Sequence, residues 1–307
     1  MKLKHTLALV ILFGVTSLAA AHRMGTTVFT LAPSTHGNPE GVAFDRQTDA
    51  FFVGATGDGT IYRGTLDSTT VAEFILGAPG RSAVGMKASG GKLYVAGGAT
   101  GAITVFDIAT GQEVAAFATG PGGFLNDLVV TESGDVYVTD SFRPTLWHVT
   151  AAQVAAGAGA VEAIPVGPEI QYTAGVFNLN GIVAREGGRQ LIVVQTNTGA
   201  LFRINFDEDS VNGRTIRQIA VEPLVGGDGL LLDRGRLIVV QGGPPPTLAF
   251  VQLEGNARRG QVVDRRTDAT LRGPSTIARA RQLYLVVNAD FATGTTPFTV
   301  TGIPRQP

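Results

Sequence analysis

The sequence predicts an all-β fold, a six-bladed β-propeller whose N-terminal strand completes the last blade. Three observations predict it. A motif of polar, small, apolar, variable and apolar residues begins six times, at Glu40-Gly41-Val42, Val84-Gly85-Met86, Asn126-Asp127-Leu128, Asn180-Gly181-Ile182, Asp228-Gly229-Leu230 and Ser275-Thr276-Ile277. Its lead positions stand 44, 42, 54, 48 and 47 residues apart, about one four-stranded blade each. The 41 glycines and a charged fraction of only 16% suit many short strands joined by tight turns.

Residues 1–21 read as a secretory signal peptide. Lys2 and Lys4 precede an apolar run from Thr6 to about Leu18, and Ala19-Ala20-Ala21 supplies small residues for cleavage before His22. The run is short for a membrane span, with a retained anchor helix as the alternative. Residues 22–307 then form one exported domain, periplasmic or extracellular, with no membrane segment after cleavage. No Ser/Pro-rich linker or charge run divides the repeats.

Each lead motif opens a blade, and a second apolar run follows it: Phe51 to Ala55, Leu93 to Ala96, Val136 to Thr139, Leu191 to Val194, Leu237 to Val240 and Leu283 to Val287. Third runs come after Gly or Pro turns, as at Ile61 to Leu66, Ile103 to Ile108 and Phe298 to Ile303. Weaker fourth runs close five blades, for example Val71 to Leu76 and Val114 to Ala118. The last blade lacks its fourth run, while Thr27 to Leu31 is unpaired. That strand locks the ring and removes the free sheet edge. Asp58-Gly59, Thr110-Gly111 and Ser133-Gly134 are the turn dipeptides this scheme needs.

Composition excludes several functions. A net charge of −1 offers no basic stripe for nucleic acid. The absence of cysteine removes thiol nucleophiles, thiolate metal sites and iron–sulfur clusters, and a chain this long does not need disulfides to hold a core.

In a closed ring the lead residues face one axis. Five of them carry oxygen, namely Glu40, Asn126, Asn180, Asp228 and Ser275, and only Val84 is apolar. Two carboxylates, two amide carbonyls and a hydroxyl make a hard, doubly negative set that suits Ca²⁺, or Mg²⁺ or Mn²⁺ with more water. His22, His36 and His148 lie outside it, which disfavours a redox metal. Any one of these residues is also a common turn former; five at matching positions favour a site. Asp127 reads as a buried, hydrogen-bonded carboxylate or as a holder of a second ion.

The start of a first strand and the end of a second share one face, so the loops there converge on the lead residues. These loops place Arg143, Asn197 and the long connection from Gly167 to Phe177 near the channel mouth. Arg143 is a candidate for an anionic substrate group, Asn197 for a substrate oxygen, and Tyr172 with Phe177 for a pocket wall. Each has a structural alternative, as turn Arg, turn Asn or cover for a sheet edge. His36 reads as a rim residue or a solvated loop histidine.

The chain resembles the SMP-30/gluconolactonase/LRE-like propellers, relatives of the squid-type diisopropylfluorophosphatase and the paraoxonases. The resemblance rests on Asn38-Pro39-Glu40-Gly41, Leu125-Asn126-Asp127, Leu179-Asn180-Gly181, Gly227-Asp228-Gly229 and Gly273-Pro274-Ser275. It implies a divalent cation, commonly calcium, held by Glu40, Asn126, Asn180 and Asp228, with Ser275 a weaker fifth ligand. It also implies hydrolysis of a lactone or related ester, a small-molecule substrate, with Asp228 as nucleophile or general base. Phe124-Leu125 stands where gluconolactonases carry a sugar-holding Arg, so sugar lactones are the less secure expectation. A non-catalytic binding or interaction propeller with a structural calcium is the alternative.

Overall fold

In the computed structural model, residues 25–206 and 213–305 are described. The leader expected at residues 1–21 lies outside them. After β1 (Thr27–Ala32), the strands fall into sets of four. The first set is β2 (Pro39–Asp45), β3 (Ala50–Ala55), β4 (Ile61–Thr65) and β5 (Thr70–Ile75), and the second is β6 (Met86–Ser89), β7 (Lys92–Ala96), β8 (Ala102–Asp107) and β9 (Glu113–Ala118). Next come β10 (Leu125–Val130), β11 (Val136–Asp140), β12 (Thr145–Val149) and β13 (Glu162–Pro165), then β14 (Leu179–Arg185), β15 (Gln190–Gln195), β16 (Ala200–Asn205) and β17 (Thr215–Gln218). The last strands are β18 (Gly227–Asp233), β19 (Arg236–Gln241), β20 (Thr247–Glu254) and β21 (Arg259–Arg266), followed by β22 (Pro274–Ala280), β23 (Leu283–Asn288) and β24 (Thr299–Pro304).

Strands β6–β9, β10–β13, β14–β17 and β18–β21 each form a four-stranded antiparallel sheet. The first set joins the last in an eight-stranded sheet through β1, which pairs antiparallel with β24 and parallel with β5. The N-terminal strand therefore ties the two ends of the chain together, as its unpaired sequence predicted. The first strands β2, β6, β10, β14, β18 and β22 are neighbours in that order, and β22 returns against β2.

The alternation of the strands explains the core. Side chains of successive residues leave opposite faces of a sheet, and here both faces are covered, so the second strands are mainly apolar, with polar residues towards their ends. Phe51 and Phe52 are adjacent, point opposite ways, and are both fully buried. Phe51 packs in a cluster with Phe29, Leu285 and Val300, and Phe52 in one with Met86, Leu93 and Phe106. Similar clusters fill each gap round the ring.

One short helix, α1 (Ala151–Ala156), was not anticipated. Its capping box pairs the Thr150 hydroxyl with the Gln153 amide and the Gln153 side chain with the Thr150 amide, and Gly157 ends it in the left-handed region. Among the described residues no helix is long and apolar enough to cross a membrane.

Candidate metal centre

Glu40, Asn126, Asn180, Asp228 and Ser275 all occupy the same local irregularity. Pairing of β2 with β3 slips between Pro39 and Val42, so Glu40 and Gly41 face a single partner residue. The same slip occurs between Leu125 and Leu128, Leu179 and Ile182, Gly227 and Leu230, and Pro274 and Ile277. A bulge inserts one residue and re-aims its side chain. The lead residue of each motif is thereby turned out of the sheet's alternation, and the small residue after it lets the next sheet approach.

That approach closes the ring. A Cβ on Gly41, Gly85 or Gly181 would overlap the carbonyl oxygen of Val84, Asn126 or Asp228 respectively, and one on Gly229 would stand 2.9 Å from that of Ser275. Where the small residue is not glycine, hydroxyls take over. Thr139 donates to the Asn180 carbonyl at 2.6 Å, and Ser275 and Thr276 donate to the Glu40 carbonyl at 2.8 and 2.6 Å. Every lead carbonyl is thus gripped by the preceding sheet.

The side chains tell a different story from the backbone. Glu40 Oε2, Asn126 Oδ1, Asn180 Oδ1 and Asp228 Oδ1 are all buried without a hydrogen-bond partner, and Asp127 Oδ2 is a fifth such oxygen. Buried polar atoms are nearly always satisfied, so a group of orphaned oxygens is what a cation site looks like without its ion. Asn126 is oriented for this role, because its amide nitrogen donates to Ser141 Oγ at 3.0 Å and Ser141 donates to the Leu179 carbonyl at 2.7 Å. Among the described residues no group of three or more His, Cys, Asp or Glu side chains is placed to hold a metal. The set depends on its two amides as much as on its acids, and it fits a hard divalent cation.

Electrostatics point the same way. Burial, then the Asp228 and Asp127 carboxylates, push the Glu40 carboxyl well above its ordinary range, against the Lys87 ammonium. Burial and Asp127 push Asp228 up as well, against a hydrogen bond from Asn180. Asp127 itself is held by Lys87 Nζ at 2.8 Å and by the Leu128 amide at 2.8 Å, both on Oδ1. Its Oδ1 is thus a buried, hydrogen-bonded carboxylate oxygen with the partly exposed Lys87 ammonium as counter-charge, while its Oδ2 has no partner. Ser275 differs from the other four, since its hydroxyl proton is committed to Glu40.

No protein-family model matches the sequence, and no curated protein matches it. Solved structures do share its shape. A gluconolactonase from Xanthomonas campestris is 16% identical, with a TM-score of 0.61 over 88% of this chain and 87% of that one. A calcium-binding regucalcin from Agrobacterium tumefaciens is 17% identical, with a TM-score of 0.61 over 88% and 92%. A virginiamycin B lyase from Staphylococcus aureus is 10% identical, with a TM-score of 0.62 over 92% and 99%. The fold is that of the gluconolactonase-like propellers.

The rim residues fall into a propeller's loop face, but most are engaged. Arg143 donates to Asp140 Oδ2 at 2.7 Å and to the Thr119 carbonyl and hydroxyl at 2.8 Å each, and it lies 4.6 Å from the Trp147 ring centre. Tyr172 donates to the Asp140 carbonyl at 2.6 Å and lines a cavity of about 450 Å³ with Phe142. Asn197 has a buried, partnerless Oδ1 of its own. His36 lies in the loop before β2 with its side chain partly exposed, and Asp58 and Glu73 hold its two ring nitrogens at 2.6 Å each.

Two organising residues escaped the sequence reading. Asp140 is fully buried and accepts from the Phe124, Phe142 and Arg143 amides, the Arg143 guanidinium and the Trp147 indole. Burial would raise its carboxyl, yet these donors outweigh burial and hold it below its ordinary range. Asn178 pins the long connection by donating to the Ser141, Thr173 and Val176 carbonyls. Asp140 ends an apolar run and Asn178 lies two residues before a lead residue; Gln195, Gln241 and Asn288 match the first position and Asn38 the second, so the repeat carried a signal that the lead positions alone did not expose.

Proposed function

We propose that this protein is a divalent-cation-dependent hydrolase of lactones or related esters, built as a six-bladed propeller and exported after removal of residues 1–21. The observation that carries the reading is the set of partnerless buried oxygens on Glu40, Asn126, Asn180 and Asp228, each delivered by a bulge at the start of a different inner strand. The gluconolactonase and regucalcin neighbours support the substrate class and a calcium ion; the leader-like layout of residues 1–21 supports export.

When bound, the cation would polarise the ester carbonyl and offset the charge that grows on its oxygen. The residues do the rest. Asn126 and Asn180 present neutral oxygens, and Ser141 fixes the orientation of Asn126. Asp228 is only half-buried, whereas Glu40, Asn126 and Asn180 are 3 to 6% exposed. Its Oδ1 is nonetheless buried and partnerless, and Asp228 is the carboxylate we assign to take a proton from water as the water oxygen adds to the carbonyl carbon. The ester C–O bond then breaks and the proton passes to the departing alkoxide. Direct attack by the Asp228 carboxylate is the other route.

The deep burial of Glu40, Asn126 and Asn180 favours a second reading, in which the cation only ties the sheets together. Hydrolysis of a panel of lactones and aryl esters by the full chain, in calcium, in chelator, and with Asp228→Asn, separates the two. Turnover that needs both the cation and Asp228 supports the hydrolase. Calcium binding with no turnover across the panel overturns it in favour of the structural ion.

A further inference from the structure

The loop face of the ring carries an aromatic surface. Phe124, Phe142 and Phe177 are in mutual contact, with ring centres 5.9, 5.0 and 4.9 Å apart, and Phe142 and Phe177 are each 44% exposed. Large exposed apolar side chains on a soluble domain mark a binding surface when they are contiguous.

These rings are attached to the candidate metal centre. Phe124 precedes Asn126 by two residues; Phe142 follows Ser141, which orients the Asn126 amide; Phe177 precedes Asn178 and stands three residues before Asn180. The surface also reaches the ring of lead residues. A Cβ on Gly98 would stand 3.0 Å from Val84 Cγ2 and 3.3 Å from the Phe124 ring, so Val84 and Phe124 pack about the same glycine. Val84 is the single lead residue without an oxygen. Its departure from the motif continues the apolar wall down to the level of the cation ligands.

Beside this wall lies the cavity of about 450 Å³ lined by Gly122, Phe142, Tyr172, Thr173, Ala174 and Gly175. Polar donors near it are already used. The Arg143 guanidinium serves Asp140 and Thr119, the Tyr172 hydroxyl serves the Asp140 carbonyl, and the Asn178 amide serves three carbonyls. A polyhydroxylated ligand would find few donors there, while an alkyl or aryl arm would find three rings.

We propose that the substrate is an apolar lactone or ester, whose ring or acyl carbonyl meets the cation centre while its alkyl or aryl tail lies against Phe142, Phe177 and Phe124. This rests on the hydrolase reading above and names its substrate class. Phe142 and Phe177 are the specificity-determining residues.

The test uses five-membered lactones with unbranched tails of one to six carbons, a polyhydroxylated sugar lactone, and 2-alkylcyclopentanones of matching tail length, which lack the scissile bond. Binding of the ketones is read by fluorescence of Trp147, the single tryptophan, which donates to the Asp140 that organises this loop. Burial of each methylene should raise kcat/KM about fourfold, from ~0.8 kcal/mol per CH₂, until the tail outgrows the cavity. Ketone affinity should rise in step. The F142A/F177A double variant should flatten both slopes, Phe142→Leu should restore much of the first, and both should keep the parent's melting temperature within a few degrees.

The outcomes divide cleanly. Tail-dependent ketone binding without lactone turnover keeps the pocket and sinks the hydrolase reading. Turnover that ignores tail length, or that prefers the sugar lactone, keeps the hydrolase and sinks the pocket. Loss of neither slope in the double variant, or absence of both binding and turnover, overturns the pocket. Sedimentation with phosphatidylcholine vesicles, abolished by the same substitutions and with no tail dependence, would reassign the rings to a membrane surface.

Discussion

Replacing Glu40 by Gln should change the protein's stability in opposite directions with and without calcium. In the ion-free state Glu40 is raised by burial and by the Asp228 and Asp127 carboxylates. A carboxyl raised on folding gives stability that is fully present below its unfolded value, near 4.5, and lost as pH rises through the folded value. At pH 7.5 the ion-free ring therefore carries a cost that Gln removes, and Glu40→Gln should melt higher than the parent in chelator. Calcium reverses the order. A ligand at a hundred times its dissociation constant stabilises by ~2.7 kcal/mol. With an unfolding entropy near 2.1 cal/mol/K per residue, a domain of this size gains roughly 5 °C from that binding. Loss of one of two carboxylate ligands should reduce the calcium shift in the variant to about 1 °C or less. The assay is differential scanning calorimetry at pH 5.0, 6.5 and 7.5, in chelator and in millimolar calcium. A parent melting temperature indifferent to calcium, or a variant that melts lower in chelator at pH 7.5, would refute the reasoning.

Three further outcomes follow from other parts of the fold. Lys87→Met should cost about 3–5 kcal/mol in urea unfolding, because it strands the buried Asp127 carboxylate; adding Asp127→Asn should recover most of it, and an additive cycle would show that the pair is not coupled. Gly181→Ala should cost about 1–3 kcal/mol and weaken calcium binding, since its Cβ would displace the Asp228 carbonyl; Gly243→Ala, which meets nothing within 4 Å, is the control. His36→Gln should lower the melting temperature at pH 5 and lose most of its effect above pH 8. Hydrogen bonds to Asp58 and Glu73, with the Asp58 bond foremost, raise His36 against its burial, so its contribution is complete below about 6.5 and fades as pH climbs through the raised value. Asp58 is lowered by the Thr60 amide and His36 against burial, so its part is present above about 3.8 and lost in more acid solution. An effect of His36→Gln that grows with pH would contradict this clamp.

The strands were legible because each repeat alternates between apolar second strands and Gly-bearing turns. The second run read as Phe51 to Ala55 is the strand Ala50–Ala55, and the run read as Leu283 to Val287 is Leu283–Asn288. Ring closure was legible too, because Thr27 to Leu31 had no partner in sequence and the last blade had no fourth run outside β24. What the repeat could not show is anything that happens once. The His36 clamp and the Lys87–Asp127 pair each join segments from different strands or loops, while the Asp140 hub and the Asn178 pin have polar counterparts at Asn288 and Asn38 whose partners differ from blade to blade. The three phenylalanines of the rim are likewise 18 and 35 residues apart from Phe142 to Phe124 and Phe177, with no period to link them.

The bulges explain why site and stability are tied in this chain. A regular strand would send alternate side chains into the two neighbouring sheets and leave none for the axis. One extra residue at the start of an inner strand frees a side chain for the channel, and the small residue beside it brings the next sheet's carbonyl into contact. The same insertion thus builds a ligand and closes the ring. Any change that repairs a bulge, such as deletion of Gly181, should flatten β14 against β15, withdraw Asn180 from the axis and open the seam to β18 together. Calcium affinity and unfolding free energy should fall in the same variant. Glu40→Gln, by contrast, leaves the bulge intact and should separate the two, losing calcium while keeping or raising ion-free stability. If the deletion lost calcium with no loss of stability in chelator, the bulge would be a ligand device alone and the seam would owe nothing to it.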